Sequence, residues 1–268
     1  TLTIAGNITN PLTGSPIQTR FMHLRGAGTG VISGAFLNTA SDATDIVKLD
    51  AGTWTLSGNN GTIQKTSVKG GQLNFAAPYY NTGTLDVQDG FRAEVSSGGG
   101  SNRVLRANTL TLNATGTLDL KDNKLFTNNA PGTASGGVYS GVQGDVQRAS
   151  NGGAWDSPGL TTSMPDAATG LTSIGVATGE QIRGLGPTDT DLFAGQTITG
   201  ATTIAMYTYA GDANLDGFIS GDDYSTIDFN VGTGADGWVN GDFNYDGIVS
   251  GDDYSTIDFN YAAQGLPL

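Results

Sequence analysis

Along the first half of the chain, apolar and polar residues alternate in short runs. Trp54 and Leu56 flank Thr55, Leu85 and Val87 flank Asp86, and Leu118 and Leu120 flank Asp119. A period of two predicts short strands with one apolar and one wet face. The runs share an opening Gly-Thr: GTGVI from Gly28, GTWTL from Gly52, GTLDV from Gly83 and GTLDL from Gly116, at offsets of 24, 31 and 33. A turn followed by a strand, recurring at such spacing, predicts stacked coils that bury their apolar faces against one another. The expected fold is mainly β, with a parallel β-helix over residues 1–128. A β-sandwich is the alternative, because the offsets are uneven and neighbouring strands would also pair as hairpins.

The pattern breaks over residues 129–210, which read as a capping and connecting region. APGTASGG, from Ala130 to Gly137, predicts a loop; Tyr139 to Ala149 predicts one short helix; GGAWDSPG and LGPTDTDLFAG predict turns. Trp155 is expected to be a packing anchor, since no other aromatic near it in sequence forms a platform. Residues 201–210 predict a last strand that runs without a flexible linker into a C-terminal segment, 211–268.

Charge changes the picture there. The chain carries a net charge of -13, yet residues 1–210 hold 14 acids against 12 bases. Residues 211–268 hold eleven Asp and no Glu, Lys, Arg or His. So dense a block of one sign has to be neutralised or stay disordered, and nucleic acid is excluded as its partner. The segment also writes twenty residues twice, Gly211–Asn230 and Gly241–Asn260, agreeing at 16 of 20 positions.

The spacing of the acids names a neutraliser. Asp212, Asn214 and Asp216 stand at positions 1, 3 and 5 of a twelve-residue loop, with Gly217 at 6, Phe218 at 7, Ser220 at 9 and Asp223 at 12. Asp242, Asn244, Asp246, Gly247, Ile248, Ser250 and Asp253 repeat the order. A hard cation takes six to eight oxygens; alternate residues of a curled loop supply them, position 7 through its carbonyl, and glycine at 6 allows the turn. Two calcium ions are therefore expected. A hairpin reading of the Asp-Gly pairs accounts for two residues of each set and leaves the others unexplained.

TTIAMYTYAG before the first loop reads as a strand, so an EF-hand with a helix on each side is excluded. Only the exit is expected to be helical, from Asp223 to Asn230 and from Asp253 to Asn260, with the Asp as N-cap and Tyr224 with Ile227, or Tyr254 with Ile257, on one face. The doubled loop-then-helix, with Asp at position 12, resembles a type I dockerin module over about residues 211–262. That resemblance implies a calcium-dependent extracellular docking module that binds cohesin-like partners around positions 10 and 11, here Gly221, Asp222, Gly251 and Asp252. The stretch from AGTWTLSGNNG through VKGGQLNF is similar to the autotransporter-associated β-strand repeat of exported bacterial surface proteins. Together these imply an extracellular or cell-surface location after removal of a signal peptide.

With no Cys, the chain has neither disulfides nor thiolate metal sites. It has no apolar run of membrane-spanning length. The carboxylate and cation candidates for catalysis, Asp119, Lys121, Asp122 and Lys124 with Arg103 and Arg106, read as a solvated face. His23 has no acid or serine beside it, so no triad is expected and the protein is not expected to be an enzyme. The expected function is a calcium-binding structural or surface protein. TLTIAGNI reads as an uncapped strand from Thr1, which suggests end-to-end self-assembly into fibres. The alternative is a docking or adhesion module for a separate partner or polysaccharide; a polysaccharide-degrading β-helix enzyme is the least favoured.

Overall fold

The computed structural model describes residues 1–9, 19–37, 44–61, 63–98 and 103–268. Its first half is a β-solenoid of about four turns built on two parallel sheets. One sheet stacks Leu2–Ile4, Thr29–Ile32, Thr53–Leu56, Gln72–Phe75, Arg92–Val95, Thr117–Asp119 and Gly159–Thr161. The other stacks Arg20–Leu24, Thr44–Lys48, Ile63–Val68, Tyr79–Val87, Val104–Leu112 and Lys124–Thr127. Every pairing named so far is parallel, which settles the architecture against a sandwich of hairpins.

Register gives the true repeat. Gly30, Trp54, Leu73, Ala93 and Leu118 are successive partners, so the coils take 24, 19, 20 and 25 residues. The expected offsets of 31 and 33 fail because Gly83 and Thr84 lie inside Tyr79–Val87, on the other sheet. The missing rungs are QLNF and RAEV, which put Gln72 and Arg92 where Thr53 and Thr117 stand. Only the inward residues are constrained: Trp54, Leu56, Leu73, Phe75, Ala93, Val95 and Leu118 are all buried in one core. Glycine is required at the corners, where a Cβ on Gly52 would stand 2.2 Å from the carbonyl oxygen of Gly28 in the preceding coil.

One coil corner encloses a charge. Lys48 is fully buried, and its Nζ donates to the carbonyls of Leu49 at 2.6 Å, Asp50 at 2.8 Å and Gly70 at 3.0 Å. Burial lowers its pKa, opposed by the charge of Asp50. The solvated face expected around LDLKDNK is also corrected. Asp119 and Lys124 are buried, and Asp119 accepts from Arg92 and from Ser163 Oγ at 2.6 Å and lies 3.3 Å from Lys121 Nζ.

The solenoid closes on antiparallel strands. Thr203–Tyr209 pairs with Lys124–Thr127 on one side and with Thr172–Thr178 on the other. The expected helix runs Gly141–Ser150 and ends at Asn151, whose φ is 45°. Within the predicted loop APGTASGG, Ala134–Ser135 pairs antiparallel with Val138–Tyr139. Two helices, Gly221–Asn230 and Gly251–Tyr261, follow the loops in the C-terminal segment. Their N-caps, Ser220 and Ser250, lie three residues earlier than expected, and Asp223 and Asp253 stand at the third helical position.

Candidate metal centre

The strand Thr203–Tyr209 delivers the chain to the first loop, where the Asp212 N–H donates to Tyr209 O at 3.1 Å. Inside the loop, backbone amides converge on the acids. Asp212 accepts from Asp216 N at 3.2 Å and from Gly217 N at 2.9 Å. Asn214 Oδ1 accepts from Asp216 N at 2.9 Å, and Asp216 accepts from Phe218 N at 3.0 Å. Asp223 closes the ring, one oxygen accepting from Ala213 N and the other from Ser220 N, both at 2.8 Å.

The second loop repeats this network almost to the tenth of an ångström. Asp242 accepts from Asp246 N at 3.2 Å and Gly247 N at 2.8 Å, Asn244 from Asp246 N at 2.8 Å, and Asp246 from Ile248 N at 2.9 Å. Asp253 accepts from Phe243 N at 2.8 Å and Ser250 N at 2.9 Å. Backbone conformation is doubled as well. Position 6 has φ of 91° at Gly217 and 89° at Gly247, the region glycine favours. Position 4 has φ of 57° at Leu215 and 60° at Tyr245, a strain that non-glycine residues rarely carry.

Positions 1 and 12 are buried in both loops: Asp212, Asp223, Asp242 and Asp253 are each 0 % exposed. Asp216, Asn244 and Asp246 are exposed and Asn214 is half-buried, and the side chains of Phe218 and Ile248 are exposed, leaving their carbonyls as the available ligands. Burial is the main cause that raises all four buried carboxylates above the ordinary range, Asp212 to about 7 and Asp253 to about 6. Neighbouring carboxylates add to the rise, Asp216 and Asp223 acting on Asp212. Among the described residues no three histidine, aspartate or glutamate side chains converge on one point. The donor set still fits a hard cation, since each loop offers three carboxylates, an amide, a hydroxyl and a carbonyl, and residues 211–268 contain no basic side chain to offset them.

The structure adds two groups absent from the sequence-based set. Thr208 Oγ1 donates to Asp212, and Tyr139 Oη donates to Asp242 while accepting from Gly237 N at 2.6 Å. Thr208 lies four residues from its acid and is within reach of a sequence argument. Tyr139 lies 103 residues away and carries no such signal. Between the loops sits Trp238, fully buried, whose indole N–H donates to Asp212 O at 2.6 Å and whose backbone N–H donates to Gln143 Oε1 at 2.9 Å.

The duplication has a geometric reason. Tyr224 Oη donates to Asp258 at 2.7 Å, and Tyr254 Oη donates to Asp228. A Cβ on Gly211 would stand 2.9 Å from Ile257, and one on Gly241 would stand 2.8 Å from Ile227. Each copy thus packs its buried isoleucine against the glycine that opens the other copy's loop. The two copies form a reciprocal pair in which equivalent residues make equivalent contacts.

No family model, no curated protein and no solved structure matches this chain. Among the described residues no helix is long and apolar enough to cross a membrane.

Proposed function

We propose that the chain is an extracellular, calcium-binding structural protein of a cell surface, in which two calcium ions lock the paired loops onto the closed end of a β-solenoid. The observation that carries this reading is the doubled ring of amide-held oxygens around four buried carboxylates. Asp212, Asn214, Asp216, Phe218 O, Ser220 and Asp223 would hold one ion, and Asp242, Asn244, Asp246, Ile248 O, Ser250 and Asp253 the other. Each ion would neutralise charge that the segment otherwise holds buried; the first would tie the strand Thr203–Tyr209 to its helix, and the second the turn Trp238–Asn240 to its helix. The role is non-catalytic: Asp119, the best-placed acid outside the loops, is occupied by Arg92, Lys121 and Ser163.

Limited proteolysis tests this. Calcium should protect residues 211–268, and a chelator should open that segment first while the solenoid persists. Equal digestion in both conditions would overturn the reading.

A second reading, a docking module for a separate partner, is favoured by Phe229 and Phe259. They occupy equivalent places on the two helices and are 81 % and 84 % exposed. Self-assembly is supported instead by the exposed apolar side chains of Leu2 and Phe21 on the strands Leu2–Ile4 and Arg20–Leu24. Light scattering in calcium separates the two: growing particles support assembly, and a monodisperse monomer supports docking.

A further inference from the structure

Between the second loop, the turn that follows Gly141–Ser150 and the strand Thr172–Thr178 lies a cavity of about 360 Å³. Trp155 lines it. Of the three tryptophans, Trp54 is 7 % exposed and Trp238 is 0 % exposed, whereas Trp155 is only half-buried. Its φ is 54°, a left-handed conformation that is costly for a bulky residue and persists where something else is gained. The preceding turn is left-handed at Asn151, Gly152 and Gly153, with φ of 45°, 69° and 97°. The chain thus holds this indole at the cavity through a strained turn. One part of the ring packs against the core, as expected of an anchor, and the rest is left open to the cavity.

Three of the lining hydroxyls are oriented by the protein as acceptors, while that of Ser173 is free to donate. Ser150 Oγ donates to Gln147 O at 3.0 Å, Thr172 Oγ1 to Tyr207 Oη at 2.9 Å and Thr256 Oγ1 to Asp252 O at 3.1 Å. Each of these three hydroxyls has spent its proton on the protein and keeps lone pairs for a ligand. The cavity therefore calls for a ligand with several donors and at least one acceptor. Among the described residues no Lys, Arg, His or Glu lines it, and Asp246 is its one charged side chain. An uncharged group that carries many hydroxyls and has an apolar face of its own is a sugar ring.

We propose that this cavity binds a neutral saccharide unit, with its C–H face against the Trp155 indole and its hydroxyls donating to Ser150, Thr172 and Thr256. The volume falls in the range of small-molecule sites. The proposal rests on the calcium reading in one respect. Asn244 and Asp246 also line the cavity and are positions 3 and 5 of the second loop, so an ion there would neutralise Asp246 and set that wall. Binding should therefore weaken when calcium is removed.

Trp238 packs on Phe243 and Tyr245 of the cavity wall, so the part of the intrinsic fluorescence change that is lost in Trp155→Gly is the part that reports on Trp155. The probes are the methyl glycosides of glucose, galactose, mannose and N-acetylglucosamine, with tetramethylammonium as the cationic competitor, each titrated in calcium and in EDTA. At least one glycoside should give a saturable response in calcium. Trp155→Gly suits the left-handed backbone and removes the ring; with circular dichroism unchanged, glycoside binding followed by NMR saturation transfer should fall at least tenfold. Thr256→Val, a near-isosteric second variant, should weaken binding about fivefold by removing one acceptor. Silence from every glycoside, full binding in both variants, or a response to tetramethylammonium alone overturns the saccharide site. If two calcium ions bind while every glycoside is silent, the calcium reading stands and the saccharide site falls. If a glycoside binds equally in EDTA, the coupling to the second loop falls.

Discussion

Acid should act on the metal-free and the calcium-loaded protein in opposite directions. Burial pushes Asp212 up to about 7 and Asp253 up to about 6, against an ordinary value of 3.8. A carboxylate whose folded pKa lies above its unfolded one binds protons more tightly when folded, so stability falls as pH rises between the two values. From pH 5 to pH 7, Asp212 spans about two units of that window and Asp253 about one, at roughly 1.4 kcal/mol per unit. The metal-free protein should then lose about 4 kcal/mol, or roughly 8–16 °C in melting temperature for a chain of this size. Calcium replaces the proton as the group that offsets these charges, and protons then compete with it, so the loaded protein should melt lower as pH falls. Differential scanning calorimetry at pH 5, 6 and 7, in EDTA and in excess calcium, measures both slopes. A metal-free melting temperature that rises with pH over this range would refute the reasoning, because it would mean that the buried carboxylates are not held at a cost.

Gly241→Ala should destabilise by about 2–3 kcal/mol in urea unfolding, because φ is 104° and the new Cβ meets Ile227 at 2.8 Å; Gly221→Ala, with open space and no positive φ, should be neutral. Lys48→Met should cost about 3 kcal/mol by the same assay, since it strands the buried carbonyl of Gly70 and the partly buried carbonyls of Leu49 and Asp50 without a donor. Phe229→Ser with Phe259→Ser should leave the melting temperature within about 1 °C, because both rings are exposed and fold no core; a marked loss would show that they pack.

Much of the candidate site was legible because a loop of this kind is local: its oxygens come from twelve consecutive residues, so spacing alone specifies them. Helix onset was misread for a related reason. Asp223 and Ser220 both cap well, and only the hydrogen bond from Ser220 N to Asp223 Oδ2 at 2.8 Å shows which is cap and which is partner. The solenoid was half legible. Inward alternation marked the strands, but outward residues are free to vary, so QLNF and RAEV hid two rungs and GTLDV posed as one. What joins the halves was not legible. The Tyr139 hydroxyl on Asp242, Gln143 on the Trp238 backbone and the Tyr245 hydroxyl on Ile174 O at 2.8 Å are contacts between distant segments with no shared pattern. Asp119 and Lys124 were misplaced because alternation tells which face a side chain takes and says nothing of what later covers that face.

The central claim is that each copy of the repeat holds one calcium ion, and counting the ions tests it most directly. Native mass spectrometry or isothermal calorimetry on metal-stripped protein should give two calcium ions per chain. Asp216→Ala should reduce the count to one by removing a ligand from the first loop alone. A count of zero in the wild-type chain, or an unchanged count of two in the variant, would contradict the account.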